Sequence, residues 1–418
     1  MSRARRFLDQ KMKIDWFFLL LVLTLISCGV ALVYSATYKP GEVFYHSYWF
    51  RQIIYFIVGG FIAVGLAFIR IDYFKRLAFP LYFLSLAGLS VVLFGGGDVV
   101  KGAGRWIDIG FFKIQPSEFA KIAYLITFSY WLSRHPVSFF KLKSFLVPFI
   151  LFLVPFALVL QQPDLSTALV FIAITLVSFY WAGLSLLDMF LLVSPAFSVL
   201  LSHSQFAYSQ IFWGLLICLV TLALFYRKLP KMLTGFFFLI NIFAGYASSM
   251  VWNVLKPHQQ KRVETFLDPM NDPLGDGYQV LQSMTAIGSG GIRGKGYGEG
   301  SQTNLSFLPE EHTDFIFSVL GEQFGFLGSL FILTLFFLFL WRAVSICKLY
   351  DDPFVNLITV SSCAVFVFHI LVNIAMTVGL MPVTGLPLPF LSYGGSFAIT
   401  CMVLVGFLIN MRYQGGRH

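Results

Sequence analysis

Long apolar runs recur along almost the whole chain. Twelve of them approach the roughly 20 residues that a helix needs to cross a bilayer. They lie at roughly 15–36, 52–69, 77–94, 117–133, 144–160, 164–182, 184–201, 208–226, 232–253, 314–342, 354–378 and 389–411. The strict alternation typical of a membrane β-barrel is absent, and unbroken Phe and Leu runs favour helices. The pattern therefore predicts one all-α polytopic domain over 1–418, a bundle of about 10–12 transmembrane helices.

Composition and charge support this class. Only 12% of the 418 residues are charged, against about 25% in soluble proteins, which excludes a soluble enzyme. The net charge of +9 does not indicate a nucleic-acid partner, because most Lys and Arg lie in short segments between the apolar runs. Such clusters orient helices towards the cytoplasm. We therefore expect both the N- and the C-terminus to be cytoplasmic.

Two longer connecting segments, at about 95–116 and about 254–313, are predicted to lie on the outer side. The second precedes the last three helices and has aromatic residues and leucines spaced through it, unlike a disordered linker. We expect this loop to be folded and to carry the activity.

The Gly-rich run 288–300 (GSGGIRGKGYGEG) lies in that loop. It does not match the nucleotide-binding patterns GxxxxGK[ST] or GxGxxG. Two interpretations stay open. The run is either a mobile, turn-rich loop, or a place where backbone N–H groups, Arg293 and Lys295 approach a phosphate or pyrophosphate.

The segment 308–317 (LPEEHTDFIF) concentrates chemistry at the start of an apolar run. Pro309 suits the first turn of a helix, so the acidic residues after it could be ordinary helix-start acidity. Asp314, however, directly precedes Phe and Ile, where a charge is costly unless it has a task. Glu310 and Asp314, with help from His312, could also hold a hard divalent cation.

Four further features lie in or next to the spans. Glu118 and Lys121 share one helical face, as a structural ion pair or as part of a polar cavity. Asp164 is placed to cap the following helix. The prolines and glycines of 382–396 predict a broken helix that lines a cavity. His369 and Asn373, four residues apart, are expected to form interhelical hydrogen bonds.

Six motifs in order carry a resemblance to a known family. They are 101–108 (KGAGRWID), 115–121 (QPSEFAK), 162–165 (QPDL), 272–279 (DPLGDGYQ), 308–317 and 387–396 (PLPFLSYGGS). Together they resemble the SEDS family of shape, elongation, division and sporulation proteins. Segments 255–262 (LKPHQQKR) and 291–296 (GIRGKG) are more similar to its elongation branch, the RodA type. The family typically has ten spans, so an extra pair is expected between about 184 and 253.

The resemblance implies an inverting peptidoglycan glycosyltransferase that polymerises lipid II into glycan strands at the outer face of the bacterial cytoplasmic membrane. It implies that Asp314 is the catalytic general base and that a divalent cation, Mg or Mn, assists. Candidate substrate-binding residues are Arg105, Trp106, Glu118, Lys121, Arg262, Arg293, Lys295, His312 and Ser392. Glu310 and Asp314 are the candidate cation ligands.

The resemblance also implies partners. These are lipid II with the growing glycan strand, a class B penicillin-binding protein acting as transpeptidase, and the elongation machinery of rod-shaped cells. Three alternatives stay open: a flippase for the lipid-linked precursor, a division-specific polymerase of the FtsW type, and a scaffold without catalytic activity. Loss of one outer carboxylate should be tolerated by a flippase and not by a base-dependent polymerase.

Overall fold

The structure is a computed structural model. It describes residues 15–38, 44–94, 98–100, 103–108, 113–135, 137, 142–203, 208–254, 257–270, 273, 275, 277–304 and 307–414. The helices within these ranges are α1 (Trp16–Thr37), α2 (Tyr48–Phe68), α3 (Ile71–Phe94), α4 (Pro116–Arg134), α5 (Leu142–Gln161), α6 (Leu165–Trp181), α7 (Leu186–Ser202), α8 (Ser209–Arg227), α9 (Lys231–Tyr246), α10 (Ser248–Val254), α11 (Pro257–Leu267), α12 (Tyr278–Gly290), α13 (Ser301–Asn304), α14 (Ile316–Val344), α15 (Pro353–Thr377) and α16 (Gly395–Gln414).

Each of the twelve predicted spans is a helix, so the all-α membrane bundle is confirmed. In the described ranges eight helices are long and apolar enough to cross a membrane, namely α1, α2, α3, α5, α8, α14, α15 and α16. The pair α9–α10, bent by 58°, makes a ninth span if counted as one. The shorter apolar helices α6 and α7, and α4 with its charged residues, account for the remaining predicted spans.

A small antiparallel sheet lies in the predicted outer segment 95–116, where the sequence indicated only a loop. Its strands are β1 (Asp98–Val100), β2 (Ala103–Asp108) and β3 (Lys113–Ile114), in the order β1-β2-β3. β2 is paired on both sides, with Trp106 opposite Asp98 and Ile107 opposite Ile114. The sheet leads directly into α4.

The two ends of the bundle are identified by the antiparallel pair α1 and α14. At the end that we call lower, Asp15 accepts from Arg342 at 2.7 Å and also pairs with Arg412 at 2.9 Å. At the upper end, Ser35 donates to Gln323 at 2.8 Å. Two of the basic residues on which the predicted orientation depends therefore converge on one carboxylate at the lower end.

Helices α15 and α16 form the centre of the bundle, because 78% of their span residues are buried against 22–39% in the other six. Between them, residues 379–394 contain no helix, and we call this stretch the central irregular segment. The predicted broken helix is thus confirmed. Helix α1 packs directly on the segment, since a Cβ at Gly29 would lie 2.1 Å from the Phe390 carbonyl.

The region from 184 to 254, where an extra helix pair was expected, consists of α7, α8 and the bent pair α9–α10. The bidentate pair Arg227–Asp188, at 2.8 and 3.1 Å, joins α8 to α7. Ser198 donates to Asn241 at 2.9 Å and joins α7 to α9. Polar contacts between helices thus hold this part together, as is common in membrane bundles.

Candidate active site

Asp314 lies at the upper end, in a turn that immediately precedes α14. The Glu310 carbonyl accepts from the N–H groups of Thr313 and Asp314, both at 3.1 Å, and Glu310 has a φ of +56°. The predicted helix start at Pro309 is therefore wrong: α14 begins at Ile316, and the acidic residues belong to the turn before it. A turn closed on one carbonyl fixes the backbone from which the Asp314 carboxylate projects.

Asn373 on α15 ties this turn to the central irregular segment. Its fully buried side-chain amide donates to the Asp314 carbonyl at 2.9 Å and to the Leu386 carbonyl at 2.7 Å. Gly385, with a φ of +75°, is so close that a Cβ there would lie 3.3 Å from Asp314 Oδ2. The half-buried carboxylate of Asp314 thus lies against the central irregular segment. Both acceptors lie outside helices, so the interhelical hydrogen bond expected for Asn373 is wrong. Its side chain instead joins the turn at Asp314 to the central irregular segment, a link that the sequence did not indicate.

His312 connects the same turn to α2 and to the end of the central irregular segment. Its carbonyl accepts from the Tyr393 N–H at 2.9 Å. Its ring lies 4.5 Å from the Tyr48 ring, centroid to centroid, and the Tyr48 and Tyr393 rings meet edge to face at 4.9 Å. His312, Tyr48 and Tyr393 therefore form an aromatic wall, two residues along the chain from Asp314.

Glu118 and Lys121 form a buried ion pair on α4. The Lys121 ammonium lies 2.8 Å from Glu118 Oε1, with side chains only 1% and 6% exposed. Lys121 is also 3.5 Å from His369 Nε2, and His369 Nδ1 lies 3.1 Å from the Pro387 carbonyl, which assigns the proton to Nδ1. The predicted pairing of Glu118 with Lys121 is confirmed, and through His369 the pair supports the central irregular segment.

One oxygen of this pair is left over. Glu118 Oε2 is buried and has no hydrogen-bond partner among the described residues. An unsatisfied carboxylate oxygen in an apolar bundle carries a desolvation cost. The pair is therefore not fully satisfied by the described residues, and both interpretations of it, structural ion pair and part of a polar cavity, stay open.

The Gly-rich run is built into α14 by an exchange of backbone hydrogen bonds. Gly325, with a φ of +62°, breaks the helix. The N–H groups of Phe326 and Leu327 then donate to Gly291 and Ile292 instead of bonding within the helix. In return, the freed carbonyls of Glu322 and Gln323 accept from the N–H groups of Lys295 and Gly296, both at 3.0 Å. The run is turn-rich, as one interpretation expected, and these four backbone hydrogen bonds attach it to α14.

Glu322 completes this junction and was missed by the sequence analysis. The fully buried carboxylate pairs with Lys295 at 2.7 Å. It also accepts from the Gln302 N–H at 2.9 Å and from the Thr303 hydroxyl at 3.0 Å. A charge inside the apolar run of α14 was the signal that could have revealed it. Lys295, predicted to contact a pyrophosphate, therefore has a structural partner, whereas Arg293 is exposed.

The other predicted site residues are spread over the upper end. Ser392 is buried, and its hydroxyl accepts from the Leu388 N–H at 2.7 Å, which closes a turn. Arg262 is exposed on α11. Arg105 and Trp106 belong to β2, where Trp106 is half-buried and the Arg105 side chain falls outside the described part. Asp164 caps α6 as predicted, accepting from the Thr167 N–H at 3.2 Å, and also accepts from Gln115 at 3.1 Å.

No group of three or more His, Cys, Asp or Glu side chains suited to a metal occurs among the described residues. Glu310 and Asp314, both in the turn before α14, provide carboxylate oxygens. Mg²⁺ commonly binds one or two carboxylates and completes its octahedron with water and substrate phosphate oxygens. Glu310 and Asp314 therefore supply the type of ligand, a carboxylate oxygen, that such a cation binds.

Sequence and structure comparisons identify the family of this chain. The family described as cell cycle protein, FtsW/RodA/SpoVE, matches residues 15–212 and 203–415. The chain belongs to this family. Its relatives include the peptidoglycan glycosyltransferase RodA of Treponema pallidum, 36% identical over 95% of this chain and 97% of the relative. Stage V sporulation protein E of Bacillus subtilis is 31% identical over 96% and 97%, respectively.

The solved structures most useful for comparison are likewise family members. A chain of a peptidoglycan synthase complex, described as coordinating polymerization and crosslinking, has a TM-score of 0.73 at 28% identity over 97% of this chain and 99% of that chain. The rod shape determining protein RodA of Thermus thermophilus has a TM-score of 0.62 at 24% identity over 95% and 96%, and shows the shared fold. The predicted family and the predicted enzyme class, a glycosyltransferase of peptidoglycan synthesis, are confirmed.

A double substitution separates the two roles of the buried ion pair. Lys121→Met alone leaves the Glu118 charge buried and should destabilise the protein by about 3–5 kcal/mol. Adding Glu118→Gln removes both charges, so the thermal unfolding midpoint in detergent should recover. We expect the double variant to lack glycosyltransferase activity even though its stability is restored, because Glu118 Oε2 has no partner among the described residues and is left to act on the substrate.

The exposed pair Arg70–Asp72, with side chains 68% and 37% exposed, supplies the control. Asp72→Asn should change neither stability nor activity measurably. If the double variant regains full activity together with stability, Glu118 and Lys121 are structural residues alone.

Proposed function

We propose that this chain polymerises glycan strands from lipid II, with Asp314 as the general base. The observation that carries the proposal is the fixed position of Asp314. Its turn is closed on the Glu310 carbonyl and bonded to Asn373, and its carboxylate lies against Gly385. A half-buried carboxylate held by backbone contacts at the end of a membrane bundle suits a base that acts on a lipid-linked sugar.

The proposed reaction is a single displacement. The 4-hydroxyl oxygen of the acceptor sugar attacks the anomeric carbon of the donor chain and forms the new glycosidic bond. The bond from that carbon to the lipid pyrophosphate breaks, and its electron pair leaves with the pyrophosphate. Asp314 accepts the hydroxyl proton as the oxygen attacks. One displacement inverts the anomeric configuration.

One carboxylate is sufficient for this chemistry. A glycosidase needs a second carboxyl group to protonate an alcohol leaving group. Pyrophosphate departs as a stable anion, so that no acid is needed, and nearby cations stabilise its charge. Lys121, Arg262, Arg293 and Lys295 are our candidates for this contact. Lys121 and Lys295 would have to leave the carboxylates of Glu118 and Glu322, which hold their ammonium groups at 2.8 and 2.7 Å.

The first test is Asp314→Asn in a polymerisation assay with purified protein, lipid II and Mn²⁺ or Mg²⁺. Loss of a general base should lower the rate by about 10²–10⁴-fold, while the thermal unfolding midpoint should stay unchanged because the turn's backbone contacts remain. Glu299→Gln, at an exposed carboxylate of the Gly-rich run, is the matched control and should be fully active.

Equal polymerisation by wild type and Asp314→Asn would place the base elsewhere. Failure of the wild type to polymerise, combined with movement of labelled lipid II across vesicle membranes, would favour the flippase instead.

We also propose that Mg²⁺ or Mn²⁺ acts at Glu310 and Asp314, where it would neutralise charge on the departing pyrophosphate. Removing divalent cations with a chelator should abolish polymerisation, and either ion should restore it. Because Glu310→Gln removes one charged ligand, the cation concentration for half-maximal activity should rise by about tenfold. Full activity after chelation would reject the cation.

Location and partners are further parts of the proposal. We propose that the lower end, with its basic residues, faces the cytoplasm and that Asp314 acts at the outer face of the bacterial inner membrane. A class B penicillin-binding protein is the expected partner, because a solved family member comes from a complex described as coordinating polymerization and crosslinking. That transpeptidase would cross-link the strands that this chain polymerises.

We propose a role in elongation rather than division, on the resemblance of 255–262 and 291–296 to the elongation branch. Expression in rod-shaped bacteria depleted of their own elongation polymerase should restore rod shape, and expression in cells depleted of the division polymerase should not restore septa. The reverse pattern would assign the chain to division. Asp314→Asn, expressed at the same level, is the control in both strains.

A further inference from the structure

Two arginines share one carboxylate at the lower end of the bundle, between α1, α14 and α16. Asp15 accepts from Nε and Nη2 of Arg342 at 2.7 and 3.3 Å, and Arg412 Nη1 lies 2.9 Å from Asp15 Oδ2. The side chains of Asp15, Arg342 and Arg412 are only 7%, 31% and 20% exposed. This lower charge cluster therefore holds one positive charge in excess, largely shielded from solvent.

A small cavity adjoins the lower charge cluster. Its volume is about 40 Å³, which is space for about three oxygen-sized groups at roughly 10–15 Å³ each. The residues of the cluster are the charged members of its described lining, so no second carboxylate there balances the extra charge. The cavity therefore suits an anion. Its other lining residues are apolar or aromatic, namely Phe18, Leu19, Ile346, Leu408, Ile409 and Tyr413.

The two guanidinium groups keep donors for such an anion. A guanidinium has five N–H donors in a planar fork that matches two oxygens of a phosphate. Among the described residues, Asp15 is the one acceptor found for Arg342 and for Arg412. Both arginines can therefore bond a phosphate without leaving Asp15.

The cavity lies where three spans end. Helices α1, α14 and α16 are each long and apolar enough to cross a membrane. Asp15 caps the start of α1, and Arg342 and Arg412 lie in the last turns of α14 and α16. Lipid phosphates lie at this depth, just outside the hydrocarbon core. Half-buried Leu19 and Ile409 provide apolar contacts for the chains of a lipid whose phosphate occupies the cavity.

The sequence before Asp15 adds positive charge. Residues 1–14, which lie outside the described residues, contain five Lys or Arg and one Asp. A basic segment next to a membrane span is attracted to anionic lipids, and basic pockets between spans bind their headgroups. An anionic lipid is thus a better source of the balancing charge than this strongly basic stretch of the chain.

We propose that Arg342 and Arg412 bind the phosphate of an anionic phospholipid in the leaflet at the lower end, with its acyl chains against Leu19 and Ile409. Free inorganic phosphate offers the same oxygens without the chains, and the experiments distinguish the two sources. The site is separate from Asp314, which lies at the opposite end of α14, and it does not depend on the proposed polymerisation.

The first experiment measures lipid binding to the purified full chain. Titration with phosphatidylglycerol in neutral detergent, followed by native mass spectrometry, should show one tightly retained lipid. Arg412→Gln should raise its Kd by about tenfold, because charge-assisted hydrogen bonds are lost. Arg412→Lys keeps the charge and should retain most of the binding. Arg70→Gln, at a guanidinium that is 68% exposed, is the matched control and should bind as the wild type does.

The second experiment separates lipid binding from a purely structural role. Asp15→Asn keeps a cap for the Phe18 N–H and removes the carboxylate that competes with the phosphate. Its thermal unfolding midpoint in lipid-free detergent should fall, because two ion pairs are lost. Its Kd for phosphatidylglycerol should nevertheless decrease by about fivefold, as expected for one unit of charge near a membrane surface. A purely structural cluster would lose stability without this gain in affinity.

Three further results would overturn the proposal. The first is an equal Kd for Arg412→Gln and Arg70→Gln. The second is equal retention of phosphatidylcholine, which has no net charge. The third is complete displacement of the lipid by inorganic phosphate at the same concentration, which would identify a site for free phosphate only. If Arg412→Gln does not fold, Arg412→Lys and Asp15→Asn still decide the outcome, because no gain in affinity for Asp15→Asn rejects the site.

Discussion

The central irregular segment can lie inside an apolar bundle only because the surrounding helices bond its backbone. Irregular backbone at membrane depth must be satisfied by protein groups. Four side chains of these helices do this: His369 at Pro387, Asn373 at Leu386, Ser166 at Thr384, and Gln52 at Ser392. Within the segment, the Ser392 hydroxyl accepts from the Leu388 N–H. The helices α2, α6 and α15 are thereby fixed around one segment, and the Asp314 turn is fixed to it in turn. The polar residues of these spans thus share one structural role, which is to bond the backbone of the central irregular segment.

Buried charged groups also need partners from the protein, and Glu118 is the exception. Glu322 is fully buried and receives an ammonium, backbone N–H groups and a hydroxyl, so its cost is offset within the protein. Within the part of the chain that the structure describes, Glu118 receives only Lys121, through one oxygen. Ion pairs removed from water repay their desolvation only when the remaining lone pairs are satisfied. The contrast identifies the neighbourhood of Glu118 as the place where a further polar partner is needed, and Glu322 as a structural anchor.

The sequence was sufficient to predict the structure wherever a local pattern determines it. Apolar run length located helices at all twelve predicted spans, eight of which are long and apolar enough to cross a membrane. Asp164 and the prolines of the central irregular segment were interpreted correctly from local chemistry. Contacts between distant segments could not be predicted. The helix start at Ile316 depends on a turn closed by Glu310 at positive φ, and the order of the Gly-rich run depends on a break at Gly325 more than twenty-five residues further along the chain. The proximity of Tyr48 to His312 likewise follows from packing alone.

These long-range contacts suit a reaction that uses a single carboxylate. When the leaving group needs no proton, catalysis depends on how closely the base and the attacking hydroxyl are positioned. Sites on rigid elements with supporting contacts hold such geometry better than free loops do. Here the supports are backbone groups, the Glu310 carbonyl on one side and the Asn373-bonded carbonyl of Asp314 on the other. Burying polar groups in the bundle is costly, but these groups also position Asp314. Asn373, which bonds the central irregular segment, also holds the turn that contains Asp314.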